Sequence, residues 1–272
     1  MKKLGFIGGG NMAEALARGL LARRVFKSSD LIASDVDPAR RRKLSRGLKV
    51  HATADNREVV AVARSIVLAV KPQTMDAVLA ELREAIQAAD RTRLFISIAA
   101  GVPIARIERA LGPRARVIRV MPNAPAMVGH GMAALVRGGK ATNADAGLAL
   151  RIFKAVGDAV ELDDERLLDA VTALSGSGPA YVYLFVKALA DAAVIEGLPP
   201  ELALRMALQT LRGAEENMRR SRLSAGELIR IVASPGGTTE AALRRFAEAG
   251  FSDIVAGAVH AAAARSRELG RG

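Results

Sequence analysis

Along the first part of the chain, short apolar runs rich in β-branched residues alternate with stretches whose apolar positions recur at helical spacing. The runs lie at residues 4–7, 31–34, 65–70, 94–98, 116–121, 132–136 and 159–162. Helical periodicity occupies 13–22, 38–47, 74–88 and 104–111. Strands alternating with helices in this way predict a parallel sheet covered on both faces. After Asp163 the β-rich runs stop and helical periodicity continues to the end, with breaks at 175–179, 197–200, 223–224, 234–237 and 250–252. The pattern predicts an α/β domain over residues 1–163 and an all-helical domain over 164–272.

The stretch 180–196 is apolar almost all round, with only Lys187, Asp191 and Glu196 charged. A helix on a monomer surface shows one polar face, so this one is expected to be buried, between subunits.

With 272 residues, half of them apolar, the chain can bury a sizeable core. No run of eighteen apolar residues is free of charge, and Lys3 leads straight into Leu4, Phe6 and Ile7 without an apolar signal core, so a cytoplasmic protein without a membrane span is expected. The absence of cysteine excludes disulfides, thiolate chemistry and Cys-bearing zinc sites, so redox work needs a cofactor. His51, His130 and His260 are far apart and at no metal-ligand spacing; no metal is expected. The formal charge of +12 raises nucleic-acid binding, but the arginines are dispersed and only 3% of residues are aromatic, too few for base stacking. A solvated basic surface with some attraction for a small anionic substrate is expected instead.

The first predicted strand runs into Gly8-Gly9-Gly10-Asn11-Met12-Ala13, a Gly-x-Gly-x-x-Ala at a helix start. Gly8 permits a tight turn, Gly10 lets backbone approach a pyrophosphate, and Ala13 keeps helix and strand close, while the helix amides face phosphate charge. The second strand ends in Ser34-Asp35-Val36-Asp37-Pro38. The Asp35 carboxylate there suits ribose hydroxyls and opposes a 2′-phosphate, whereas Asp37, just before a proline, suits a helix N-cap.

Further blocks follow at strand ends, where ligands bind in open α/β sheets: Ala69-Val70-Lys71-Pro72, the stretch Ser97 to Val102 containing Ala99 and Ala100, and Met121-Pro122-Asn123-Ala124-Pro125-Ala126. The helical half adds Leu174-Ser175-Gly176-Ser177-Gly178-Pro179-Ala180-Tyr181 and Ser234-Pro235-Gly236-Gly237-Thr238-Thr239. Together and in this order, over nearly the whole chain, these blocks resemble the pyrroline-5-carboxylate reductases, and the last resembles that family's substrate-binding signature.

The resemblance implies a Rossmann domain, a C-terminal helical domain that intertwines two subunits, and a substrate loop contributed by the neighbouring subunit. It implies reduction of 1-pyrroline-5-carboxylate to L-proline with NADPH or NADH, in a homodimer or a larger assembly of dimers. By position it assigns Gly8, Gly9, Gly10, Asn11 and Met12 to pyrophosphate, and Asn56 to the adenosine end. Val70, Lys71, Pro72, Ala99 and Ala100 go to the nicotinamide end, with Ala69 and Asn123 in the same strand-end blocks. Ser234, Gly237, Thr238 and Thr239 go to substrate. The family is similar to NADPH users with hydroxyl or basic groups after the second strand, a pattern Asp35 departs from, although Ser34 and Arg40 beside it offer phosphate contacts.

A cyclic imine that arrives protonated is already electrophilic, so positioning supplies much of the catalysis and no strong side-chain acid is required. Amides of the 234–239 loop, placed before a helix, suit the substrate carboxylate, and the Thr239 hydroxyl suits the imine nitrogen. Lys71, before a proline at a strand end, suits cofactor or structural contacts, and Tyr181 and Tyr183 suit packing. Two rivals are weaker. A hydroxyacid dehydrogenase would carry its catalytic lysine and asparagine where Val182 and Val186 stand, and a non-catalytic dinucleotide sensor would not need the 234–239 loop.

Overall fold

The computed structural model describes residues 2–88 and 91–271. Among them, β1 (Lys2–Ile7), β2 (Leu31–Ser34), β3 (His51–Thr53), β4 (Ala63–Leu68), β5 (Arg93–Ser97), β6 (Ala115–Pro122), β7 (Gly131–Arg137) and β8 (Gly157–Glu161) join one sheet in the order β3-β2-β1-β4-β5-β6-β7-β8. The order reverses between β1 and β4, the switch point at which such sheets bind ligands beyond their strand C-termini. Pairing is parallel from β3 through β6 and again between β7 and β8, but β6 and β7 are antiparallel. The sheet is thus mostly parallel, as expected, with one reversal at β7. The connection from Pro122 to Gly131 is too short for a crossover, which takes a dozen or more residues, so the chain turns back beside the strand it left.

Helices α1 (Asn11–Ala22), α2 (Pro38–Leu48), α3 (Asn56–Val62), α4 (Met75–Ala88), α5 (Ile104–Leu111) and α6 (Asn143–Lys154) are interspersed among the strands. The strand side chains alternate between two cores. Leu4, Phe6, Leu31 and Ile96 pack in one with Leu16, Leu20 and Phe153, whereas Ile7, Ile32, Ile66 and Phe95 pack in the other with Val59, Leu79 and Ile107. A fully buried ring such as Phe95 or Phe153 stabilises the fold by about 1.5–3 kcal/mol relative to leaving it in water.

The C-terminal part holds α7 (Leu167–Val171), a π-helical turn at Thr172–Gly176, α8 (Gly178–Ile195), α9 (Pro200–Arg220), α10 (Ala225–Val232), α11 (Thr238–Glu248) and α12 (Phe251–Arg271). The break expected at 175–179 is replaced by the π turn, closed by the Ser177 amide donating to the Thr172 carbonyl at 2.8 Å. Contacts divide the chain into two compact units. One contains the sheet, the residues up to Ser177 and those from Ala262 onward; the other runs from Gly178 to Ala261. The second unit pairs α8 with α9 and clusters Phe185, Phe246 and Phe251, with ring centroids 5.3 and 6.3 Å apart. Within the single chain α8 is largely exposed, with Tyr183 at 64%, Leu184 at 68% and Ile195 at 84%. By length and composition alone, Leu167–Ile195 is also apolar enough to cross a membrane.

Candidate active site

The glycine loop after β1 is shaped by close backbone approaches. Gly8 has φ +94°, and a Cβ there would lie 2.7 Å from the Ala69 carbonyl oxygen. Its amide donates to the Ser34 carbonyl at 2.9 Å, which ties the loop to the end of β2. Gly10 is the N-cap of α1 and offers no side-chain cap; a Cβ on it would meet only Arg40 Nη1, at 3.8 Å. The space above Gly10 is therefore open, and the Asn11, Met12 and Ala13 amides have no partner within the helix. An anionic pyrophosphate fits this cradle by shape and by helix-end charge. Ala13 is buried against the first core, so a larger residue would push α1 off the sheet.

Asp35 stands where an acid was expected, but its carboxylate is already engaged. It is 7% exposed, Oδ2 accepts from the Gly9 amide at 2.7 Å, and Oδ1 accepts from the Asp37 amide at 2.8 Å. Arg40 Nη1 lies 3.5 Å from Oδ2, and Arg41 Nη1 donates to the Asp35 and Val36 carbonyls. Asp37 caps α2 through the Ala39 amide at 2.7 Å. Ser34 is fully buried, and its hydroxyl donates to Asn56 Oδ1 at 2.6 Å. Asn56 in turn donates to Glu81 Oε2 at 2.8 Å, so these side chains link β2, α3 and α4.

The ends of β1, β4, β5 and β6 lie side by side, which brings Gly8–Met12, Ala69–Pro72, Ala99–Ala100 and Asn123 to one sheet edge. Ala69 donates to the Ile7 carbonyl at 2.8 Å, and Lys71 caps the 3₁₀ turn Pro72–Thr74 through its carbonyl, leaving its ammonium stem exposed. Ala99 N donates to Ser97 Oγ at 3.4 Å. Asn123 is more committed than its sequence position suggested. Its Nδ2 donates to the Ser175 carbonyl and hydroxyl at 3.1 and 3.2 Å, and its Oδ1 accepts from the Met132 amide at 2.8 Å. It joins two strand ends to the π turn. Gly176 in that turn leaves room for Met121, whose Cε would lie 2.6 Å from a Cβ.

In the second unit, Ser234, Gly237, Thr238 and Thr239 share one loop and helix start. Gly236 has φ +71°, Gly237 is the N-cap of α11, and the Gly237 amide donates to the Ser234 carbonyl at 3.0 Å. The Gly236 amide donates to Glu240 Oε2 at 2.7 Å. The Gly236 and Gly237 amides are thereby taken, while those of Thr238 and Thr239 stand at the open start of α11. Glu240 was missed by sequence reasoning, although an acid in the first turn after a glycine pair is a capping signal.

A family model described as pyrroline-5-carboxylate reductase dimerisation matches residues 165–269, and one described as NADP oxidoreductase, coenzyme F420-dependent, matches 3–101. The chain is 42% identical over 269 residues to a pyrroline-5-carboxylate reductase of Synechocystis, covering 99% of this chain and 98% of that protein. The chain belongs to the pyrroline-5-carboxylate reductase family. Another member of the pyrroline-5-carboxylate reductase family, from Pseudomonas aeruginosa, is 42% identical, with 98% of this chain and 96% of that protein covered. Among solved structures, a pyrroline-5-carboxylate reductase of Coxiella burnetii has a TM-score of 0.91 and 34% identity, covering 98% of each chain. The structure of the Plasmodium falciparum pyrroline carboxylate reductase with NADP bound has a TM-score of 0.88 and 32% identity, covering 99% of this chain and 98% of that one.

Proposed function

We propose that the protein reduces the imine of 1-pyrroline-5-carboxylate to L-proline, the last step of proline biosynthesis, with NADPH or NADH as reductant. What supports this most is family membership along the whole chain combined with both the open Gly10 cradle and an intact 234–239 loop. Residues 1–163 are assigned to the dinucleotide and 164–272 to dimerisation and substrate.

Gly8, Gly9, Gly10, Asn11 and Met12 hold pyrophosphate, chiefly through amides that α1 does not use. Asp35 and Asn56 lie at the adenosine end, and Ser34 acts there by orienting Asn56. Ala69, Val70, Lys71, Pro72, Ala99 and Ala100 line the nicotinamide end, while Asn123 fixes the neighbouring strand ends. Nicotinamide, when bound, supplies the hydride. The chain's own task is to orient the imine carbon and exclude water. Amides of Thr238 and Thr239 receive the substrate carboxylate at the start of α11, beside Ser234 and Gly237, and the Thr239 hydroxyl contacts the imine nitrogen. Because that nitrogen arrives protonated, Thr239 needs only to hold it.

We read the exposed apolar surface of α8 as a subunit interface, in a homodimer or a larger assembly of dimers, rather than as a membrane span, and the protein as cytoplasmic without a nucleic-acid partner. Purified enzyme should oxidise NADPH or NADH in proportion to added pyrroline-5-carboxylate. Cofactor binding without turnover would favour a dinucleotide sensor, and turnover of a 2-hydroxy acid instead would favour the dehydrogenase reading.

A further inference from the structure

We propose that the last turns of α12 are a positioning element for the cofactor, acting through the loop between β5 and α5. This rests on the assignment of Ala99 and Ala100 to the nicotinamide end. That loop is held at two points. At one, Gly101 has φ +72°, and a Cβ on it would lie 3.1 Å from the carbonyl carbon of Leu269 and 3.2 Å from its oxygen. At the other, the Ile104 amide at the start of α5 donates to Glu165 Oε1 at 2.9 Å, and the same oxygen accepts from buried Arg119 at 2.8 Å.

The two points are tied to each other. Ser266, buried at 4% exposure, donates its hydroxyl to Asp169 Oδ1 at 2.6 Å. Ser266 is one helical turn before Leu269, and Asp169 is four residues after Glu165, in α7. The Ser266 hydrogen bond thus sets the register of α12 where its backbone meets Gly101. All of these residues belong to the sheet-bearing unit. At Gly101 the room a Cβ would need is taken by the Leu269 carbonyl and Cβ, atoms whose places are fixed by the α12 backbone, so the placement of α12 bears on the loop without a flexible side-chain end to absorb it. A shift of α12 by a fraction of an ångström moves the residues directly before Gly101, which are Ala99 and Ala100. Ser266 touches no reacting group; it acts through the loop.

The test compares full-length, assembled wild type with Ser266→Ala and Ser266→Thr. The dissociation constant for NADPH is read from nicotinamide fluorescence, which a chain without tryptophan leaves free of energy transfer from that residue. Ser266→Ala should raise the Kd and KM for NADPH about fivefold and leave the KM for pyrroline-5-carboxylate within about twofold. It should also speed amide exchange at Ala99–Gly101, and Ser266→Thr should restore all three. Should Ser266→Ala fail to fold, Asp169→Asn weakens the same hydrogen bond without opening a cavity, and a smaller rise in the same constants is expected. A lower melting temperature with wild-type Kd and exchange, or an equal rise in both KM values, would overturn the proposal. If the wild type does not turn over pyrroline-5-carboxylate, the functional reading fails, while NADPH binding and exchange still decide this one.

Discussion

At the end of β2 the Asp35 carboxylate holds the Gly9 amide and so helps set the shape of the glycine loop. On the proposed assignment it also places negative charge where an adenosine 2′-phosphate would approach. Arg40, 3.5 Å away, offsets part of that charge. NADH is therefore expected to be used at least comparably to NADPH; a kcat/KM more than about tenfold higher with NADPH, roughly 1.4 kcal/mol, would contradict this. Arg40→Ala should raise the KM for NADPH several-fold more than that for NADH. Thr239→Val keeps shape but removes the hydroxyl, so turnover should fall about tenfold or more with cofactor affinity near wild type. His51→Gln, His130→Gln and His260→Gln should stay active, and a folded but dead histidine variant would relocate the site. Sequence marked Asp35 and the glycines because residue type at fixed spacing sets the tight loop they form. It did not show that Ser34 is sealed against Asn56 or that Glu240 holds the Gly236 amide, since those depend on side-chain direction after folding.

Among the elements, most of the long strands and helices were legible because their apolar period repeats, although the twelve-residue α6 was not among the helices expected. The three residues of β3 and the seven of α3 are too short to show a period, and β3 forms by pairing with β2. The strand reversal at β7 depends on connection length rather than residue pattern. β7 and β8 come close together where they begin, at the paired Gly131 and Gly157. Gly157 has φ +155°, and a Cβ there would overlap the backbone of Gly131. Gly157→Ala should therefore lower stability by several kcal/mol, more than an ordinary surface change, read as a large drop in melting temperature at fixed protein concentration. Helix ends also carry a pH dependence. Glu227 is held below the ordinary carboxylate range by the Ser224 hydroxyl and amide at the start of α10, and Asp76 is lowered by Arg106 between α4 and α5. Groups lowered on folding stabilise fully above their unfolded pKa and lose that contribution as pH falls through the folded value. The melting temperature should stay level from neutral pH down to about 5 and fall below about 4. Glu227→Gln and Asp76→Asn should make that acid limb shallower.

For the whole molecule, the decisive quantity is apolar surface left in water by one chain. Leu184, Tyr183 and Ile195 on α8, Ile231 and Val232 on α10, and Ile254 on α12 are all more than three-fifths exposed. They belong to the stretch matched by the dimerisation model, and the formal charge of +12 disfavours nonspecific clumping of chains that leave such surface open. A specific self-complementary interface would resolve both facts, as a two-fold pair would bury the same patch twice. Dilute native enzyme should scatter light as a dimer or a larger even-numbered assembly, with a melting temperature that rises with protein concentration. Leu184→Asp separates this from a monomer. On a free surface such a change costs at most about 0.5 kcal/mol, whereas at the centre of an interface it buries an unpaired charge and should dissociate the assembly and abolish turnover. A Leu184→Asp protein that keeps wild-type mass and activity, or a wild type active as a monomer, would show that α8 faces solvent in the working enzyme.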